Sequence, residues 1–170
     1  FIVPQDKIDH ERHVLVSNLN ESIIMNDMEF RLGIHQYKGG IIDPKGNKYL
    51  QRFVAEPLPT YYFRVGKFNF KSEILFLSND ERLIVKYTIL DDVESVSIQF
   101  HPLLAFRQIH CLTHKNDAAN TGFEWCENGL KYCLYDNYTP VYIQSSEPIY
   151  YEHQPIWYEN FEYEEEIKRG

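Results

Sequence analysis

The chain contains no run approaching the roughly 18 consecutive apolar residues that a membrane-spanning helix needs. It also has no basic start followed by an apolar stretch, the mark of a secretory leader. The expectation is a cytoplasmic protein with no membrane partner. Its opening residue is Phe1 rather than Met, which points to sequence upstream. Cysteine is scarce, with only Cys111, Cys126 and Cys133. An odd number without a CxxC spacing does not make a disulfide framework. Reduced thiols are expected, with a Cys126–Cys133 bridge left open because the two flank a tight turn. Basic residues are in deficit, 17 Lys and Arg against 25 Asp and Glu, for a net charge of −8. A negative surface repels phosphate backbones, so nucleic acid is excluded as a partner. No GxGxxG or other phosphate loop is found, and no cofactor is called for.

Aromatics, by contrast, are abundant. They make up 15% of the chain, with 13 Tyr and 11 Phe, and both favour strands. The 170 residues fit a single domain, 1–170, with room for an ordinary core. Hydrophobic residues recur with period two almost throughout. Strands are expected over His13 to Leu19, Ser22 to Met25, Phe30 to Tyr37, Tyr49 to Ala55, Tyr61 to Val65, Phe68 to Leu77 and Leu83 to Leu90. Val96 to Phe100 and Val141 to Gln144 add two more. Asn26-Asp27, Gly66-Lys67 and Asn79-Asp80 read as turns, as do Gly39-Gly40 and Asp43-Pro44-Lys45-Gly46-Asn47. Asn128-Gly129 between alternating residues is a strong hairpin signal. Strands every dozen residues argue for an all-β antiparallel sandwich or barrel rather than βαβ units. From Pro102 to Asn120 the alternation stops, and a long loop with at most a helical turn is expected; loops of that length in compact domains tend to be functional or mobile.

Candidate chemistry is sparse. His110 and His114 stand at i and i+4, a spacing that shares one face of a helix. The segment is not helical in pattern and offers no third ligand, so no metal site is assigned. Glycoside hydrolysis needs a carboxylic acid and a second carboxylate. The tail carries Glu159, Glu162, Glu164, Glu165 and Glu166, but an acidic run is ordinarily a solvated face. No Ser–His–Asp or Cys–His signature is present, and no catalytic residue is named. Trp125, Tyr138, Tyr142, Tyr150 and Trp157 are candidate platforms for stacking on sugar rings, weighed against burial in the core.

Four stretches, in order along the chain, resemble the N-terminal domain of bacterial and archaeal amylo-α-1,6-glucosidases, the glycogen debranching enzymes with a helical-barrel catalytic domain. They are Gly39-Gly40-Ile41-Ile42-Asp43-Pro44-Lys45-Gly46 with Tyr49-Leu50, and Phe53 through Pro57-Leu58-Pro59-Thr60. The third is Pro102-Leu103-Leu104-Ala105-Phe106-Arg107 with His110 and Thr113. The last is Trp157-Tyr158-Glu159-Asn160-Phe161-Glu162-Tyr163 with Glu166 and Arg169-Gly170. Asp43 stands where the family often has His, and His101 where it often has Arg. The resemblance implies a supersandwich like the galactose mutarotase fold. It implies a catalytic domain C-terminal to this chain and a whole enzyme that hydrolyses α-1,6 branches of glycogen. It assigns Arg107, His110 and Thr113 to a surface facing glucan or the barrel. The partners it implies are glycogen or another branched α-glucan and the catalytic domain of the same chain. Two other readings are a stand-alone carbohydrate-binding module and a mutarotase-like epimerase, the latter needing its own acid–base pair. The stop at Arg169-Gly170, inside a motif, favours the debranching-enzyme domain.

Overall fold

The computed structural model describes residues 1–92 and 95–168, so Arg169-Gly170 of the last stretch lie outside them. In chain order the strands are β1 (Ile2–Pro4), β2 (Arg12–Asn18), β3 (Glu21–Met25), β4 (Met28–Arg31), β5 (Ile34–Tyr37), β6 (Ile41–Lys45), β7 (Leu50–Val54) and β8 (Thr60–Val65). They continue as β9 (Phe68–Leu77), β10 (Arg82–Ile89), β11 (Ser97–Phe100), β12 (Leu103–Gln108), β13 (Glu124–Cys126), β14 (Gly129–Tyr132) and β15 (Val141–Gln144), followed by a short helix α1 (Glu164–Lys168). Every strand pairing among the described residues is antiparallel. The all-β antiparallel expectation holds, and no described helix is long and apolar enough to cross a membrane.

The chain divides into two compact units. One comprises Leu19–Pro102 and the tail from Asn160. It is a sandwich: the sheet β10-β9-β8-β7 faces the sheet β11-β3-β4. Alternation decides which side chains meet between them. Val65, Phe68 and Phe70 of the first sheet and Ile23 of the second are each at most 3% exposed, with Phe30, Phe63 and Ile98 packed against them. Phe70 stacks on Phe63 at 5.0 Å and on Phe68 at 5.3 Å between ring centroids. The opposite face of the four-stranded sheet carries polar pairs, among them Lys71 with Glu73 at 3.0 Å and Arg52 over the Tyr62 ring at 4.0 Å. The tail joins this unit through Phe161, which forms a β-bridge with Tyr37 and packs its ring tilted against the Tyr37 ring at 5.2 Å. Part of the acidic tail is thus held in the fold, since Glu162 accepts a hydrogen bond from Gln36.

The other unit comprises Phe1–Asn18 and Leu103–Glu159. Its sheets are β1-β2-β12 and β13-β14-β15. Its buried apolar residues are Val3, Leu15, Val16, Phe106, Leu130, Tyr132, Leu134 and Val141.

Several segments depart from the sequence reading. The single strand expected over Phe30 to Tyr37 is two, because the chain leaves the β3–β4 ladder after Arg31 and pairs with β6 from Ile34. Ile41–Lys45, read as part of a turn region, is the strand β6. The break falls where Gly46 must lie: a Cβ there would collide with the carbonyl groups of Leu32 and Gly33, and the Gly46 amide donates to Gly33 O. Asn26-Asp27 is a two-residue turn with both φ positive, 50° and 59°, the type I′ pattern for a hairpin. The hairpin at Asn128-Gly129 is present, shifted by one residue. Gly129 already belongs to β14, paired with Cys126, and Asn128 takes the left-handed φ of 54°. Glycine is required at 129 by crowding, since a Cβ would run into the Ile143 carbonyl oxygen across the ladder.

These packing contrasts yield a measurable pair. Phe70→Ala should cost about 3–5 kcal/mol in denaturant unfolding. Phe76→Ala, on a ring that is 51% exposed, should stay within about 0.5 kcal/mol of wild type. Equal losses would remove the Phe63–Phe70–Phe68 stack from its place as the core of this unit.

Candidate functional site

The segment expected as a loop from Pro102 to Asn120 begins instead with the strand β12. Its alternation is hidden because the register slips against β2. Leu104 faces Val16 and Arg107 faces Val14, so one extra residue sits on β12. Such a bulge re-aims the side chains beyond it. Phe106 lies in the bulge at φ 43°, a conformation costly for a bulky residue, and its ring is 2% exposed. It packs edge-on to Tyr138 at 5.4 Å.

Arg107 follows directly. Its Nη1 donates to the carbonyl oxygens of Gln108 at 3.3 Å, Ile109 at 3.4 Å and Cys111 at 2.5 Å. The Gln108 side-chain oxygen accepts the His110 amide at 2.6 Å. The half-buried guanidinium therefore ties the turn that ends β12. His110 and His114 are exposed and Thr113 is half-buried. No hydrogen bond among the described residues joins the side chains of Arg107, His110 and Thr113, so they share a segment rather than a focused cluster. Farther on, Asn116 donates to the His114 carbonyl at 2.9 Å and to the Tyr135 hydroxyl at 3.1 Å. The Asn120 amide donates to Leu134 O at 2.8 Å. The loop is fastened at both ends and in the middle, and between the fastenings it presents His110, Leu112 (58% exposed), His114 and Asp117.

A polar group that the sequence reading did not find lies in the same unit. His13 on β2 is 3% exposed. Its Nε2 meets the Asp9 carboxylate at 3.0 Å and its Nδ1 meets the Tyr138 hydroxyl at 2.9 Å. In the neutral ring Nε2–H donates to Asp9 and Nδ1 accepts from Tyr138. Asp9 also accepts the Glu11 amide at 2.9 Å, and this bond, ahead of the one to His13, holds its carboxyl below the usual range. Burial, with the nearby Asp9 charge, pushes the Tyr138 phenol up. An activated nucleophile needs the opposite shift, so the row acts as a latch that satisfies a buried imidazole. His13 lies 125 residues from Tyr138, and Asp9 farther still, so no local spacing announces them.

Of the candidate stacking residues, Trp125 is 62% exposed, Tyr142 55% and Tyr150 fully exposed. Tyr138 and Trp157 are half-buried. Residues 111–116 have no helical structure, so His110 and His114 do not share a helix face. Among the described residues no group of three or more His, Cys, Asp or Glu is placed to hold a metal ion. All three cysteines are free thiols.

Removing the latch hydroxyl with Tyr138→Phe should cost about 1–3 kcal/mol in urea unfolding, because His13 Nδ1 is left unpaired in a buried position. Asp9 supplies a pH signature. Its lowered carboxyl means that the unfolded chain binds the proton first. The stability it contributes is present above the ordinary value near 4 and is lost as pH falls through the lower folded value. The stability gap between wild type and Asp9→Asn should therefore shrink as pH is taken below about 4. A gap that widens in acid would contradict this assignment.

Comparison with known proteins agrees with the residues. The model of the family described as glycogen debranching enzyme N terminal matches residues 1–170. No curated protein and no solved structure matches the chain. The four resembling stretches, the antiparallel sandwich and a family match over the full length lead to one assignment: this chain belongs to the glycogen debranching enzyme N-terminal family.

Proposed function

We propose that this domain is an accessory domain of a cytoplasmic glycogen-debranching α-1,6-glucosidase of glycogen catabolism. In this reading it docks on the C-terminal catalytic domain of the same chain and helps to hold branched α-glucan, while the catalytic carboxylates reside in that other domain. One observation carries the reading. The segment following β12 is pinned by Arg107 and Asn116 yet leaves His110, His114, Asp117 and Leu112 facing outward. A loop ordered in advance loses little entropy on binding, and its amide, imidazole and hydroxyl groups suit the hydroxyls of a glucan. Arg107 supports the loop through its carbonyl contacts, and the half-buried Thr113 lies in the same segment.

A second feature supports docking. In the larger sandwich, Phe53 pairs with Tyr61, and Phe76 pairs with Leu83, all on the face that also builds the core. Phe53 is 49% exposed, Phe76 51% and Leu83 40%. Apolar rows left open beside a core are typical of interaction surfaces.

The roles of Arg107 and His110 separate in one experiment on the intact enzyme. Arg107→Ala should lower both debranching activity and melting temperature, since three carbonyls lose their donor. His110→Ala should lower activity by about tenfold, the effect of one well-placed hydrogen bond, while the melting temperature hardly moves. Unchanged activity in both variants would remove this loop from the proposal.

A further inference from the structure

Trp125 is the large aromatic that the fold has least reason to expose. It sits on β13, facing Leu130 of β14, which is 7% exposed, and Ile143 of β15. The indole is held edge-to-face by Phe123 at 5.7 Å and by Tyr151 at 6.2 Å. Tyr151 is fixed in turn, its ring tilted 54° against Phe123 at 4.2 Å between centroids and its hydroxyl bonded to His153 Nδ1 at 2.9 Å. The ring is thus oriented by neighbours and yet stays 62% exposed.

Beside it lies a groove of about 450 Å³ lined by Trp125, Cys126, Asn128, Gly129 and residues 146–149. That is within the range of small-ligand clefts, about 300–1,000 Å³. Its far wall is built by hydrogen bonds. The Ser145 amide donates to Asn128 O at 2.9 Å, Gln144 donates to Glu127 O at 2.7 Å, and the Glu147 amide donates to Ser145 Oγ at 3.0 Å. These bonds occupy backbone groups and the Ser145 and Gln144 side chains. The exposed side chains of Asn128, Ser146 and Glu147 remain available at the groove.

We infer that this groove is an α-glucan subsite, in which Trp125 stacks on the apolar face of a glucose ring and Asn128, Ser146 and Glu147 bond its hydroxyls. The inference rests on the glucan-holding part of the function proposed above. It places the contact on the β13–β14 hairpin, apart from the loop after β12. A ligand with one C–H face and a rim of hydroxyls matches an aromatic wall facing polar groups. An anionic ligand does not, because the charged side chain lining the groove is Glu147, with no Lys or Arg among the lining residues. Gly129 keeps the floor low, since any side chain there would meet β15.

The test is titration of the 170-residue chain with maltohexaose, followed by tryptophan fluorescence and calorimetry. Binding should be weakened about tenfold or more by Trp125→Ala and be retained by Trp157→Ala, the loss expected for one aromatic platform. Because Trp125→Ala removes a packing partner of Phe123 and Tyr151, the exposed Glu147→Ala serves as the second variant and should also weaken binding with circular dichroism unchanged. If maltohexaose binds the wild type and both groove variants alike, this subsite is wrong while the domain's glucan-holding role stands. If the wild type does not bind maltohexaose at all, that role fails and the subsite falls with it.

Discussion

The pairing of β2 with β12 is the constraint on which the rest of the arrangement depends. The chain leaves the unit formed by Phe1–Asn18 and Leu103–Glu159 after Asn18 and re-enters it at Leu103, and those two residues are partners in the ladder. Everything from residue 19 to residue 102 is an excursion whose ends this ladder ties. Closing so long a loop costs about 4 kcal/mol beyond a constant, and the return comes from the buried side chains of Leu15, Val16 and Phe106. The same ladder contains the bulge that holds Phe106 at a positive φ. Without that slip in register, Arg107 would not stand where its guanidinium reaches the carbonyls of Gln108, Ile109 and Cys111 in the following turn. Strain at one buried aromatic is thereby coupled to the order of the exposed loop.

Aromatic residues serve three distinct ends in this protein, and burial tells them apart. Phe63, Phe68 and Phe70 fill the larger sandwich. Phe106 and Tyr138 lock the polar latch around His13. Phe123, Trp125, Tyr151 and His153 form a surface cluster on a three-stranded sheet. A sheet of three short strands cannot bury both of its faces, so part of that cluster stays open to solvent. The high Tyr and Phe content seen at the outset is therefore more than strand propensity. Some of it is core, some is hydrogen-bonded support, and some is surface with a polar surround.

The proposed function rests on what the domain presents rather than on a reactive centre of its own. The row of Asp9, His13 and Tyr138 has the look of a proton relay, yet its phenol is pushed away from ionisation and its imidazole is enclosed. The physics favours support over reactivity. The exposed elements, by contrast, are ordered before any partner arrives: the loop by Arg107 and Asn116, the indole by its two aromatic neighbours.

Period-two alternation, turn chemistry and the absence of helical patterning determined the all-β antiparallel class, most of the strands and the hairpins at Asn26-Asp27 and Gly66-Lys67. These are local properties, readable wherever strand geometry and φ preference act over a few residues. The four ordered stretches carried the family in the same way. Tertiary structure alone decided what depends on distant partners. It divided Phe30 to Tyr37 between two sheets and turned Ile41–Lys45 into a strand. It disguised Leu103–Gln108 as loop, because a bulge breaks alternation without ending pairing. It brought His13 to Tyr138 and left Trp125 open while burying Leu130 beside it. Each of those outcomes follows from which surface another part of the chain covers, and a linear pattern does not encode that coverage.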